Sequence, residues 1–232
     1  VSAETGSGAE PAGVSRRTWL LSGLGASGAL VVGWGLLPPR SRLGSADTQP
    51  VLAGEVGLNG WIKIAADGAV LLAMPRSEMG QGVHTALAIL VAEELDVPLP
   101  RVRLAPAGAD TLYGNVAMFV GSLPFHPRDS EPGARTRLVE AGEWTVAKVA
   151  RELGISVTGG SSSVADAWDV LRLAAATARA QLVGAASLQW RQPASELQVV
   201  DGVVHHASGP RAHYGELARV AAATPPGEVR LK

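Results

Sequence analysis

Residues 61–105, WIKIAADGAVLLAMPRSEMGQGVHTALAILVAEELDVPLPRVRLA, change periodicity twice. Residues 61–64 alternate, 66–68 are Ala-Asp-Gly, and 70–74 run apolar. An Asp-Gly pair between two such runs predicts a β-hairpin, because a tight turn needs a residue at positive φ. Pro75 stops the second strand, since it has no N–H for a ladder. Val83, Leu87, Leu90, Val91 and Leu95 then fall at helical spacing, with Pro98 and Pro100 closing the helix. Residues 102–105 read as a further strand. Strands and helices in this alternation predict an α+β (mixed α/β) chain.

The same reading extends towards the C-terminus. Residues 106–135 are irregular. A second helix is expected from about 137 to 153, stopped by Gly154. Residues 155–157 form a short extended piece. Gly159-Gly160-Ser161-Ser162-Ser163 opens a third helix, whose Trp168, Leu171, Ala175, Ala178 and Leu182 keep a helical rhythm. Ser163 with Asp166 reads as an acidic capping box. Residues 197–200 and 203–206, around Asp201-Gly202, make a second hairpin, and a last helix covers about 214–223. No internal repeat is present.

Towards the N-terminus, residues 1–13 show no apolar period. Ser15-Arg16-Arg17-Thr18-Trp19-Leu20 then leads into an apolar, glycine-rich run over 19–37 without a charge. Paired arginines before such a run read as a twin-arginine export signal, which predicts a periplasmic location. The run also has roughly the 20 residues of a membrane anchor, or could be a buried core helix, although its glycines weaken both readings. The expected organisation is a signal region over 1–40, a linker over 41–57 in which a cut would fall, and a folded domain over 58–232.

Composition excludes several classes. Of 232 residues, 47% are hydrophobic and 18% charged, which is not a disordered chain. Twenty basic and twenty-one acidic residues leave no cationic surplus for nucleic-acid phosphates. Cysteine is absent, so disulfides, thiolate zinc sites and cysteine-ligated iron–sulfur clusters cannot come from this sequence.

Two loops carry the candidate chemistry. Met79-Gly80-Gln81-Gly82-Val83-His84-Thr85 runs straight into a helix. Its glycines allow close backbone approach, the helix start offers N–H groups to an anion, and the Gln81 amide both donates and accepts. His84 is a possible further contact. The Gly-Gly-Ser-Ser-Ser loop also lies at a helix start, where hydroxyls and N–H groups suit a phosphate or a pterin edge. The bland alternatives are an ordinary turn and a serine cap. Neither loop ends in Gly-Lys-Ser/Thr, neither follows G-x-G-x-x-G, and no G-x-S-x-G elbow exists. His205 and His206 point to opposite strand faces and do not chelate together. Glu93 and Glu94 read as a solvated helix face.

The string Ser77-Glu78-Met79-Gly80-Gln81-Gly82-Val83-His84-Thr85, followed by Val91-Ala92-Glu93-Glu94-Leu95-Asp96-Val97-Pro98, resembles the molybdopterin-binding large subunit of the xanthine dehydrogenase and aldehyde oxidase superfamily. The likeness is to its exported bacterial branch, the isoquinoline 1-oxidoreductase beta subunit and related aldehyde dehydrogenases. Tyr113-Gly114-Asn115, the serine loop and the twin-arginine start fit that branch, and the resemblance covers roughly residues 55–232. It implies that Gly80, Gln81 and Gly82 grip the molybdopterin. It also implies that Gly160, Ser161, Ser162 and Ser163 bind the dithiolene–phosphate side or the dinucleotide tail of a molybdopterin cytosine dinucleotide. The implied reaction is hydroxylation of an aldehyde or N-heterocycle with oxygen from water. Electrons would leave through iron–sulfur clusters on a 2Fe-2S small subunit and then a cytochrome c. Residues 123–152 look like an insertion, and no site is carried over there. No position matches the family's C-terminal catalytic glutamate, so the resemblance implies a fragment that is inactive alone. The rival readings are a non-catalytic exported binding or assembly module and a truncated relic.

Overall fold

The computed structural model describes residues 15–38, 40–131 and 133–232, so the reading of residues 1–13 lies outside it. The chain divides into two units at Pro39/Arg40. In the first, α1 (Arg16–Leu36) takes up most of the charge-free run. Among the described residues no helix is long and apolar enough to cross a membrane.

The second unit is built on a four-stranded sheet of order β1-β2-β3-β4. Its strands are β1 (Glu55–Gly57), β2 (Ile62–Ala65), β3 (Val70–Met74) and β4 (Val102–Pro106). The expected hairpin pairs Ile64 with Val70, and Gly68 sits at φ +81°. β3 and β4 are parallel, with Val70 opposite Val102, so the chain between them must cross over. The crossover is α2 (Val83–Leu95), whose bounds are those the periodicity gives. Residues 41–57 are packed into this unit: Gln49 is buried and donates to Gly60 O at 2.8 Å, and Trp61 Nε1 donates to Arg42 O at 2.6 Å.

Beyond β4 the chain forms α3 (Val116–Gly121), α4 (Arg137–Leu153) and the 28-residue α5 (Ser163–Trp190). Gly154 ends α4 at φ +60°, and a Cβ there would lie 2.3 Å from Thr111 Cα, so both conformation and space demand glycine. Residues 155–157 join no sheet. A second, antiparallel sheet holds β5 (Leu197–Val200), β6 (Val203–His206) and β7 (Arg211–His213), followed by α6 (Tyr214–Ala222). α3 and β7 are too short to show a period in sequence.

The core lies where α5 packs on α2 and α6, beside the first sheet. Ala174, Ala175, Ala178, Ala185 and Ala186 give α5 a small-residue face, so neighbouring helices approach closely. Trp61, Ile62, Leu72, Leu87, Leu95, Leu171, Leu182 and Leu217 fill the layer. Each contributes about 1.5–3 kcal/mol by leaving water. Glu94 corrects the reading of a solvated face. It is 1% exposed, because Arg172 Nε donates to it at 2.8 Å and Arg179 lies beside it. Glu93 is exposed.

Candidate functional site

The two loops are far apart in sequence and meet in one cleft of about 440 Å³. It is lined by Met79, Gln81, Val83, Ala86, Thr158, Gly159, Gly160, Ser161, Ser163 and Val164, none of them charged. The loops are also tied directly, with Ser77 N–H donating to Thr158 Oγ1 at 2.9 Å and Ser156 Oγ donating to Pro75 O at 3.1 Å. A cleft of about 420 Å³ at the far end of α2 is lined by Glu93, Asp96 and Asp201, the wrong charge for a phosphate. A third, lined by Arg179, Glu228 and Arg230, has its guanidiniums engaged by Glu94 and Glu228.

The glutamine loop is closed on itself. Gly80 and Gly82 lie at φ +90° and +78°, where an L side chain is strained. Gln81 Oε1 accepts the Met79 N–H at 2.5 Å, and its Nε2 donates to Ser77 O at 2.9 Å. The amide keeps one N–H and spare lone-pair capacity for a ligand. The N–H groups expected to be open are not. Glu78 Oε1 accepts from Gly80 and Gly82, both at 2.9 Å, and Oε2 accepts from His84 N–H at 3.0 Å. The His84 and Gly82 N–H groups hold the Glu78 carboxyl below its ordinary range. His84 Nε2 lies 2.8 Å from Arg76 O; a carbonyl only accepts, so this nitrogen carries the proton and the ring faces the backbone.

The serine loop is built differently. Residues 159–162 make a tight turn with Ser162 N–H on Gly159 O at 3.2 Å, and Gly160 and Ser161 both adopt positive φ, +58° and +53°. For Ser161 this is a strained conformation. Ser162 Oγ donates to Gly159 O at 2.7 Å and accepts from Asn115 Nδ2 at 2.8 Å, so this hydroxyl braces the loop from beneath. Ser163 is 9% exposed and lines the cleft. Among the described residues its hydroxyl has no partner, nor do the N–H groups of Ser163 and Val164. The start of α5 is thus open where the start of α2 is filled.

Asp166 does not close a capping box. Its Oδ2 accepts from Arg42 Nη2 and Arg76 Nη2, each at 2.7 Å, and its Oδ1 accepts from Val116 N–H at 2.8 Å and Ala117 N–H at 3.1 Å. Two guanidiniums and two amides outweigh the local bond to the helix start. Arg76 and Asp166 are buried at 0% and 1% side-chain exposure, and they join the base of one loop to the first turn behind the other. Burial lowers the Arg76 pKa against the pull of Asp166. Tyr113, pushed up to about 12 by burial, donates to Gly60 O at 2.6 Å.

Glu78, Arg76, Asp166 and Asn115 were not legible as site-building residues. The strings Ser77-Glu78-Met79 and Tyr113-Gly114-Asn115 and the capping reading of Asp166 were the signals that marked their neighbourhood. His205 and His206 lie away from the cleft; His206 Nε2 faces Glu196 Oε2 at 3.0 Å and Nδ1 faces Ser208 Oγ at 2.6 Å. No cluster that could hold a metal ion occurs among the described residues.

Residues 22–122 match the family model described as a molybdopterin cofactor-binding domain, which takes in the glutamine loop and ends before the serine loop. The isoquinoline 1-oxidoreductase subunit beta of Brevundimonas diminuta is 35% identical over 181 residues, 77% of this chain and 19% of that protein. The membrane-bound aldehyde dehydrogenase (pyrroloquinoline-quinone) of Gluconacetobacter polyoxogenes is 30% identical over 176 residues, 75% of this chain and 17% of that protein. The chain therefore spans under a fifth of the length of these curated relatives. The crystal structure of quinoline 2-oxidoreductase from Pseudomonas putida 86 aligns with 73% of this chain and 17% of its own, at 19% identity and a TM-score of 0.41.

Proposed function

Since the chain belongs to the molybdopterin-binding xanthine dehydrogenase family, we propose that its two-loop cleft grips a molybdopterin cytosine dinucleotide within a molybdenum hydroxylase large subunit. The observation that carries this reading is the joining of the two loops in one uncharged cleft with an open helix start. The residues fit the group. The Ser163 hydroxyl and the N–H groups of Ser163 and Val164 suit a phosphate oxygen, with the helix dipole favouring its charge. Gly160 and Ser161 shape that turn. Gln81 offers its amide to an uncharged edge, Gly80 and Gly82 give its loop the positive φ it needs, and Met79, Val83 and Ala86 give apolar walls that keep water off that edge. Ser162 acts from beneath, by holding the turn.

When bound, the group supplies two-electron redox chemistry at molybdenum for oxidation of an aldehyde or N-heterocycle, with water as the oxygen source. This chain's residues bind and orient it. The electrons would pass to a 2Fe-2S subunit and on to a cytochrome c. Ser15-Arg16-Arg17 at the start of α1 supports twin-arginine export to the periplasm as part of the same reading.

The test is Gln81→Ala in the full subunit that contains this sequence. Molybdenum by elemental mass spectrometry and pterin by fluorescence after oxidation should both fall. Full content of both would remove Gln81 from the site.

A further inference from the structure

The cleft wall carries one sulfur atom, that of Met79. The sequence holds three methionines and no cysteine, so any oxidation of sulfur falls on a thioether. Met74 is 8% exposed in the core, and Met118 is half-buried on α3. Met79 is 68% exposed and lines the cleft with Gln81, Val83 and Ala86. Its backbone N–H is held by Gln81 Oε1 at 2.5 Å, while its side chain stands outside the hydrophobic core. A dissolved oxidant therefore meets this thioether first. With hydrogen peroxide the O–O bond breaks, an S–O bond forms, the sulfur gives up two electrons, and water leaves. The product is a polar sulfoxide in a wall that Val83 and Ala86 otherwise keep apolar. Its oxygen accepts hydrogen bonds, so it draws in water and competes for the spare N–H of the Gln81 amide in the same cleft. The uncharged edge of a ligand then meets a wetted wall and an occupied amide.

We propose that Met79 is a modification site, at which oxidation by a peroxide to the sulfoxide closes the cleft to its ligand. The inference rests on the cleft being the cofactor site, and it adds a control on loading. A seated ligand covers the thioether, so the empty cleft is the sensitive state. The change is reversible, since methionine sulfoxide is returned to the thioether by sulfoxide reductases.

The test uses the full subunit that contains this sequence, prepared empty from a host that makes no pterin cofactor and loaded from one that does. Both preparations are treated with graded hydrogen peroxide and mapped by peptide mass spectrometry. In the empty subunit Met79 should reach half conversion at a dose about tenfold below that of Met74, and loading should protect it. Conversion no faster than that of Met74, or at equal rates in the two preparations, would overturn the proposal. The consequence is read on Met79→Gln, whose polar side chain imitates the sulfoxide, against Met79→Leu, which keeps the wall apolar. Both are made in the cofactor-producing host, and their melting temperatures should agree because the side chain is exposed. A lower melting temperature for Met79→Gln transfers the comparison to Met79→Ser. Met79→Gln should retain about fivefold less molybdenum than Met79→Leu, the worth of one hydrogen bond at the wall. Equal content in the two would overturn the proposal; with Gln81→Ala still depleted, the cleft reading would stand. Full content in all of these variants would remove the cleft reading and the proposal with it.

Discussion

The starts of α2 and α5 use the same local grammar, a glycine-rich turn running into a helix, and they finish it in opposite ways. At α2 a side chain four residues ahead of the N-cap Gly82 swings back and takes three N–H groups. At α5 the corresponding donors are left to the cleft, and the nearby carboxylate, Asp166, is drawn away by Arg42 and Arg76. A glycine-rich helix start is therefore an anion site only if the chain brings no anion of its own. Which case holds is decided by side chains that the turn motif does not include.

The comparison can be broken at several points. The largest effect is expected at Asp166, which fixes the open start in place. Asp166→Asn leaves Arg76 buried without its charge partner and should cost about 3–5 kcal/mol in a denaturant melt. A loss below about 1 kcal/mol would mean that the network does not hold the α5 start. Next are the glycines of the closed start. Gly80→Ala and Gly82→Ala have open space around the added carbon but the wrong backbone, so each should cost about 1–2 kcal/mol through φ alone. An Ala variant as stable as wild type would show that the loop does not keep its positive φ.

Ser161 sharpens the contrast in the other direction. Ser161→Gly should relieve its positive φ and raise stability by roughly 0.5–1 kcal/mol, readable as a higher melting temperature. The smallest effect belongs to pH. The folded-state pKa of Glu78 lies below its unfolded value, so the carboxylate's stabilisation of the loop is fully present above the unfolded pKa. It is lost as pH falls through the lowered one. Hydrogen exchange at Gly80, Gly82 and His84, corrected for intrinsic rate, should speed up in that acid window while Ser163 and Val164 keep their rates. Uniform behaviour of all five amides would erase the distinction between the two starts.

Much of the fold was written in local signals. The Asp-Gly pairs placed both hairpins, and Asp201 and Gly202 take the positive φ, +52° and +77°, that the second turn needs. The apolar spacing gave α2, and Gly154 gave the end of α4. Local signals failed where a distant charge competed with a near one. Asp166 lies three residues beyond Ser163 and reads as its capping partner, but Arg42, 124 residues away, and Arg76, 90 residues away, hold it. Glu94 reads as surface because Arg172 and Arg179 lie almost 80 or more residues beyond it. At the site, both loops were legible as loops, and their meeting was not. It depends on β3, α2 and α5 being packed together, a consequence of the whole core and of no single motif.

The central claim is that the open start of α5 is the anion-binding end of the cofactor cleft. The direct measurement is molybdenum content and melting temperature of the full subunit carrying Ser163→Ala. This hydroxyl makes no bond within the described chain, so the melt should stay within about 0.5 kcal/mol of wild type. Removing a hydrogen bond to a charged ligand should meanwhile weaken cofactor retention by about tenfold. Wild-type molybdenum in a normally folded Ser163→Ala subunit would contradict the account.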